Sequence, residues 1–246
     1  MEKAILVTSF GTSHKDTREK CLDSIQNKVM AKYGKEKVEI AYTSKIIRRI
    51  VEEREKIRIF DQNEGLETLK NKGYDEIVTM SLHIMEGIEY SKLDNRYGEI
   101  TKPLLATDED YKKIVANEEF NSLEGNDAIV LMGHGSEHVA DSTYQRLQEE
   151  YKKAGKNNIF VATVDGKVTI KDVVEKLKGK KFRKILLKPF MIVAGDHAKN
   201  DMASDEKDSW KTILQNEGYE VIPILKGLGE YEFIREMFMS KLEEVY

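Results

Sequence analysis

Residues 196–208 read DHAKNDMASDEKD, and Asp196, His197, Asn200, Asp201, Asp205 and Asp208 within them carry groups that ligate metals or move protons. They follow an apolar run at 185–193 and a glycine, Gly195. A buried strand that ends in glycine and gives way to ionisable residues is how an open α/β sheet presents its chemistry, because ligands bind beyond the carboxyl ends of its strands. The alternative is a strand, a surface loop and a helix opened by Ser204 or Asp205. A second such place is MGHGSEH, where His134 stands between Gly133 and Gly135 at the end of the apolar run 128–132. Flanking glycines let backbone or ligand approach closely. His138 lies four residues on, a spacing that suits a shared metal on a helix. His134, however, precedes the expected helix, so a helix-start role fits His138 better. His14 and His83 read as polar contacts in loops.

Two imidazoles with one or two carboxylates suit a divalent first-row metal such as Co²⁺, Fe²⁺, Ni²⁺ or Zn²⁺. They suit Mg²⁺ poorly, since that ion demands oxygen. No CxxC, HExxH, Walker A or GxGxxG pattern occurs, and GHGS lacks the GxSxG order of a nucleophile elbow.

The elements that position these groups alternate. Buried strands are expected at 4–10, 38–43, 76–82, 128–132, 159–164, 185–193 and 220–225, with a short one at 103–106. Helices are expected at 16–32, 45–54, 64–72, 108–117, 139–154, 169–178, 205–217 and 230–245. Residues 118–126 are polar and read as a linker. The order of elements then starts again, so the fold class expected is α/β, with two similar doubly wound parallel-sheet domains, 1–122 and 123–246, and a cleft between them. The duplication lets the halves be compared. Phe10-Gly11-Thr12 matches His134-Gly135-Ser136, and Ser44 matches Asp165. A gapless pairing of Ile77 with Ile185 sets Gly87 on Gly195 and Glu89 on His197. The second half thus fills equivalent strand-end positions with His134, Asp165 and His197; the first fills them with Phe10, Ser44 and Glu89.

With 246 residues, 40% hydrophobic and 34% charged, the chain has the composition of a soluble globular protein. A net charge of −4 provides no general basic surface for nucleic acid or anionic lipid. The single cysteine, Cys21, falls in a helical pattern and excludes a disulfide framework within the chain, which fits a reducing, cytoplasmic setting. The first residues lack the features of a signal peptide, and no apolar run approaches the ~20 residues of a membrane span.

SFGTS, SLHIMEGIEY, MGHGSEH, VAGDHAKNDMASDEKDSWK and GLGE together resemble the anaerobic sirohydrochlorin cobaltochelatases, class II chelatases of cobalamin biosynthesis with a ferrochelatase-like fold. The resemblance spans nearly the whole chain. It implies ATP-independent insertion of Co²⁺ into sirohydrochlorin, with the metal as substrate and no tightly bound cofactor. It implies that His134, His197 and Glu89 act at the metal, with His134 and Glu89 as the catalytic pair. The family often has a glutamate where this chain has Asp165, so Asp165 is expected to reach the metal through water or not at all. His134 is the expected acceptor of pyrrole protons, while His197 and Glu89 hold the ion. Lys199, Lys45 and Arg48 are candidate contacts for the substrate's carboxylates. An iron chelatase making sirohaem or haem, and a non-catalytic tetrapyrrole or metal carrier, are the alternatives.

Overall fold

In a computed structural model, which describes residues 2–246, the chain divides into two compact α/β units. One comprises Met1–Ala106 with Gly229–Tyr246; the other is Thr107–Leu228.

The first unit is built on β1 (Lys3–Ser9), β2 (Val38–Tyr42) and β3 (Glu76–Ser81), all parallel, in the order β2-β1-β3. Ala4 to Val7 are fully buried, as a central strand of a covered parallel sheet requires. Helix Lys45–Glu55 is opened by the Ser44 hydroxyl, which accepts from Ile47 N at 3.3 Å. Helix Gln62–Asn71 is opened by a reciprocal box: Glu64 N donates to Asp61 Oδ1 at 3.0 Å, and Asp61 N to Glu64 Oε2 at 2.9 Å. Its Leu66 and Leu69 join Ala4, Leu6, Ala41 and Ile77 in one core. The helix expected at 16–32 contains a π segment, Arg18–Asp23, ahead of Ser24–Tyr33. The strand expected at 103–106 does not form. The ladder beside β3 is a single bridge from Thr79 to Ile100. Pro103 has no N–H to extend it, and Leu104 and Leu105 donate to the His83 and Ile84 carbonyls instead.

The second unit holds β4 (Ala128–Gly133), β5 (Ile159–Thr163), β6 (Lys184–Pro189) and β7 (Glu220–Pro223), parallel in the order β5-β4-β6-β7. Val130, Met132, Ala162 and Leu187 pack with Val173, Leu177, Trp210 and Leu214 from helices Ile170–Leu177 and Trp210–Asn216. In a parallel sheet all carboxyl ends lie along one edge, and the residues of interest follow those ends.

The division of the chain differs from the expected 122/123 boundary in two places. The segment read as a linker contains a helical turn, Glu118–Asn121, whose Phe120 is buried. Tyr151 donates to Asn121 Oδ1 at 2.8 Å, and the buried Lys188 donates to the Phe120 carbonyl at 2.6 Å, so the segment belongs to the second unit. At the other end, helix Glu232–Glu243 belongs to the first unit. Lys28 pairs with Glu232 and Glu236, and Lys32 with Glu243. Gly229 lies so close to Cys21 that a side chain there would stand 2.8 Å from the Cys21 Cα.

The internal repeat is written in the backbone. In the first unit Thr43 N donates to Ser9 O at 2.8 Å, Ser44 N to Phe10 O at 3.4 Å and Leu82 N to Thr8 O at 2.8 Å. In the second, Val164 N donates to Gly133 O at 3.1 Å, Asp165 N to His134 O at 2.8 Å and Phe190 N to Met132 O at 2.7 Å. These are the pairs that the sequence comparison aligns.

Candidate metal centre

His134 is the first residue beyond β4. The chain turns there because Gly135 adopts φ +81°, a left-handed conformation open to glycine. A side chain at Gly135 would also lie 2.5 Å from Gly166 N, so the loops after β4 and β5 touch backbone to backbone. The bond from Asp165 N to His134 O continues the parallel pairing past the end of both strands, and this sets the two side chains side by side. His134 Nδ1 stands 3.9 Å from Asp165 Oδ2. His197 comes from the third loop, after β6, where the chain bends through 191–193 and enters a short π turn, Ala198–Met202. Its ring meets the His134 ring edge-on, with centroids 4.7 Å apart.

One ligand atom from each of His134, Asp165 and His197 falls within 4.8 Å of the other two. A tetrahedral ion with bonds of roughly 2.1 Å holds its ligands about 3.4 Å apart. The remaining gap is closed by side-chain rotation, for which there is room: the three side chains are 52%, 60% and 33% exposed. Asp165, despite its short side chain, is therefore part of the cluster.

The imidazoles are held differently. His197 Nδ1 lies 2.6 Å from Asp201 Oδ2. A carboxylate accepts only, so Nδ1 carries the proton and Nε2 keeps the lone pair, made more electron-rich by the charge behind it. His134 Nδ1 instead faces the neutral carbonyl of Gly135 at 3.0 Å, which also leaves Nε2 as its free base. In the sequence Asp201 is one of several acidic residues that follow His197. Its position one helical turn after His197 was the available signal. Against the end of β4 lies the buried Tyr144, its pKa pushed up to about 12 by burial and its ring so close that a side chain at Gly133 would stand 2.3 Å from it. No sequence pattern marks that contact.

The other candidates stand as follows. His138 caps the next helical segment, its Nδ1 accepting from Ala140 N at 3.1 Å, which is the helix-start role. His14 precedes the first helical turn and donates its N–H to Thr12 Oγ1 at 3.2 Å. His83 Nδ1 contacts Ser81 Oγ at 2.9 Å, while Nε2 is buried without a hydrogen-bond partner. Burial pulls the His83 pKa down to about 4, against a weaker opposing pull from Glu89. Glu89 belongs to the first unit, on the turn Ile88–Ser91 after β3, and receives Lys92 Nζ at 2.5 Å. Partial burial would raise its pKa, but the Lys92 ammonium prevails and holds the carboxyl below its usual range. Phe10, at the place His134 occupies in the second unit, is 48% exposed, and Ile46 and Ile88 beyond β2 and β3 are exposed too. Arg48 is engaged by Asp61 and Glu64 at 3.5 and 3.9 Å, which weakens its case as a substrate contact; Lys45 is exposed at the head of its helix.

The cobalt chelatase (CbiK) family profile matches residues 3–246. The chain belongs to that family. It is 34% identical over 255 aligned residues to the sirohydrochlorin cobaltochelatase of Salmonella typhimurium, an alignment covering 99% of this chain and 96% of that one. It is 28% identical to the sirohydrochlorin cobaltochelatase CbiKC of Nitratidesulfovibrio vulgaris, covering 98% and 89% of the two chains. Two chelatase structures share the fold at low identity. SirB from Bacillus subtilis with Fe³⁺ has a TM-score of 0.68 at 13% identity and covers 99% of this chain and 95% of its own. CbiX, described as the terminal enzyme of sirohaem biosynthesis in denitrifying bacteria, has a TM-score of 0.56 at 11% identity, with 99% of each chain covered. The chain is thus a metal chelatase with the α/β architecture expected of it. Among the described residues, no helix is long and apolar enough to cross a membrane.

Proposed function

We propose that this chelatase inserts Co²⁺ into sirohydrochlorin, without ATP, in anaerobic cobalamin biosynthesis. The observation that carries the metal chemistry is the convergence of His134, Asp165 and His197 at the carboxyl edge of one sheet. Two imidazoles and a carboxylate suit a borderline first-row ion. Three protein ligands also leave coordination positions open, so the ion stays exchangeable and the ring nitrogens can displace water from it. A closed four-ligand cage would retain the cargo.

Insertion replaces two pyrrole N–H protons by one divalent ion, so the site must both deliver metal and accept protons. His197, backed by Asp201, is the better metal holder. His134, backed only by a neutral carbonyl, holds the ion less tightly, so its Nε2 is the one freed to take a pyrrole proton as the ion passes to the ring. Asp165 supplies a negative charge that offsets part of the ion's. We assign it a direct bond to the metal, because its oxygen already lies among the ligand atoms. Glu89 keeps the role drawn from the resemblance, as a carboxylate acting with the metal and the leaving protons. The exposed Phe10, Ile46 and Ile88 offer apolar contact to a flat macrocycle, and the exposed Lys45 offers charge to its carboxylates.

The deciding experiment is turnover of metal-free sirohydrochlorin with Co²⁺, followed by absorbance. Conversion that depends on Co²⁺ and proceeds without nucleotide is expected. Binding of ring and metal with no conversion would replace this reading with that of a carrier. Faster conversion with Fe²⁺ than with Co²⁺ would reassign the metal.

A further inference from the structure

Asp141 is almost completely buried, in the short 3₁₀ turn Val139–Asp141 ahead of helix Ser142–Lys153. A buried carboxylate is costly unless its oxygens are satisfied, and these two are satisfied by different loops. Oδ1 accepts from Ser136 N at 3.2 Å, in the loop that carries His134. Oδ2 accepts from Lys167 N at 3.0 Å, in the loop that carries Asp165. The fit is close on the far side too. A side chain added at Gly166 would stand 2.3 Å from Asp141 Oδ1 and 2.4 Å from Thr163 Oγ1. Each bond lies two residues beyond the ligand it steadies, and the bond from Asp165 N to His134 O closes the same pair of loops from the ligand side.

We infer that Asp141 is a positioning residue: its carboxylate ties the two loops in register and so sets the spacing of His134 and Asp165. This rests on the reading of those residues as metal ligands. The geometry explains why the site tolerates exposed ligands. Side chains half open to solvent gain little order from packing, so the backbone beneath them must be fixed, and a charged acceptor that bonds both loops does so directly. Both carboxylate oxygens of Asp141 are turned to loop backbone. Its effect travels through where its two neighbours stand.

The test is a Co²⁺ titration of the full chain without tetrapyrrole, read by calorimetry and by the visible absorption of the bound ion. It compares the parent protein with Asp141→Asn, Asp165→Ala and the double variant. An amide keeps one acceptor oxygen but turns an N–H toward the other loop. Asp141→Asn is expected to weaken Co²⁺ binding about tenfold, the lower range for groups that support ligands. In the Asp165→Ala background the same change is expected to cost under about twofold, because the spacing it sets no longer matters. In turnover, Asp141→Asn should raise the half-saturating Co²⁺. Gly166→Ala disturbs the junction with the carboxylate intact and stands in if Asp141→Asn does not fold; it should show the same loss and the same dependence on Asp165. Parent-like Co²⁺ binding by a folded Asp141→Asn or Gly166→Ala protein overturns the inference, as does an equal loss in both backgrounds. If Asp165→Ala itself binds Co²⁺ as the parent does, the metal-site reading fails, and the role of Asp141 falls with it.

Discussion

The acceptors behind His134 and His197 differ by a full charge, and that difference should appear in kinetics. His134→Ala is expected to lower the rate at saturating Co²⁺ by roughly 10²–10⁴, the usual contribution of a general acid–base group. His197→Ala and Glu89→Ala should instead raise the Co²⁺ needed for half-maximal rate. Restoration of His134→Ala by excess Co²⁺, with His197→Ala inactive throughout, would reverse the assignment. Asp201→Asn removes the charge behind His197, and its Co²⁺ affinity should drop about 10- to 100-fold. For Asp165, crystals soaked in Co²⁺ should show an oxygen roughly 2.0–2.2 Å from the ion; a bridging water in that place would return it to the outer role expected from its length. Of the three histidines outside the cluster, His83 carries a different consequence. Its folded pKa of about 4 lies below the ordinary value of 6.5, so between these limits the unfolded chain binds more protons. Stability should therefore fall as pH drops through that window, and His83→Phe should flatten the fall in a thermal denaturation series. The histidines and Asp165 could be singled out in the sequence because glycines and strand ends flank them. Asp141 and Tyr144 could not, because their contacts are with backbone atoms that no residue code records.

At the scale of elements, the central strands were legible because a buried parallel strand is a near-continuous apolar run. Their ends were less so. Residues 191–193 are apolar enough to prolong β6, yet β6 stops at Pro189 and the chain bends there to swing His197 over its neighbours. The helix expected from Asp205 starts at Trp210, and its cap is Ser209, whose hydroxyl accepts from Thr212 N at 3.1 Å. Several capping residues stand in a row before Trp210, and composition does not choose among them. The choice matters to stability: Ser209→Ala should cost about 1 kcal/mol, read as a lowered denaturation midpoint with the Co²⁺ dependence of turnover unchanged.

Across the whole molecule, the duplication was visible in the order of elements and in the gapless match of Gly87 and Glu89 to Gly195 and His197. The unit boundaries were not, since they depend on single anchors such as Phe120 beneath a polar surface and Gly229 against Cys21. The second unit is a continuous segment. The first is completed only by Glu232–Glu243, whose Ile234, Met237, Phe238, Met239 and Leu242 are buried. Removal of residues 229–246 should thus strip amide-exchange protection from β1 to β3 and spare β4 to β7. The same arrangement orders events on the ribosome. When Leu228 has emerged, every residue of the unit with the two clustered histidines is in hand, while the unit begun first still waits for its last helix. The nascent chain would then acquire its metal ligands ahead of a finished N-terminal half, and any holding factor would have to shield the earlier-made segment for longer than the later one.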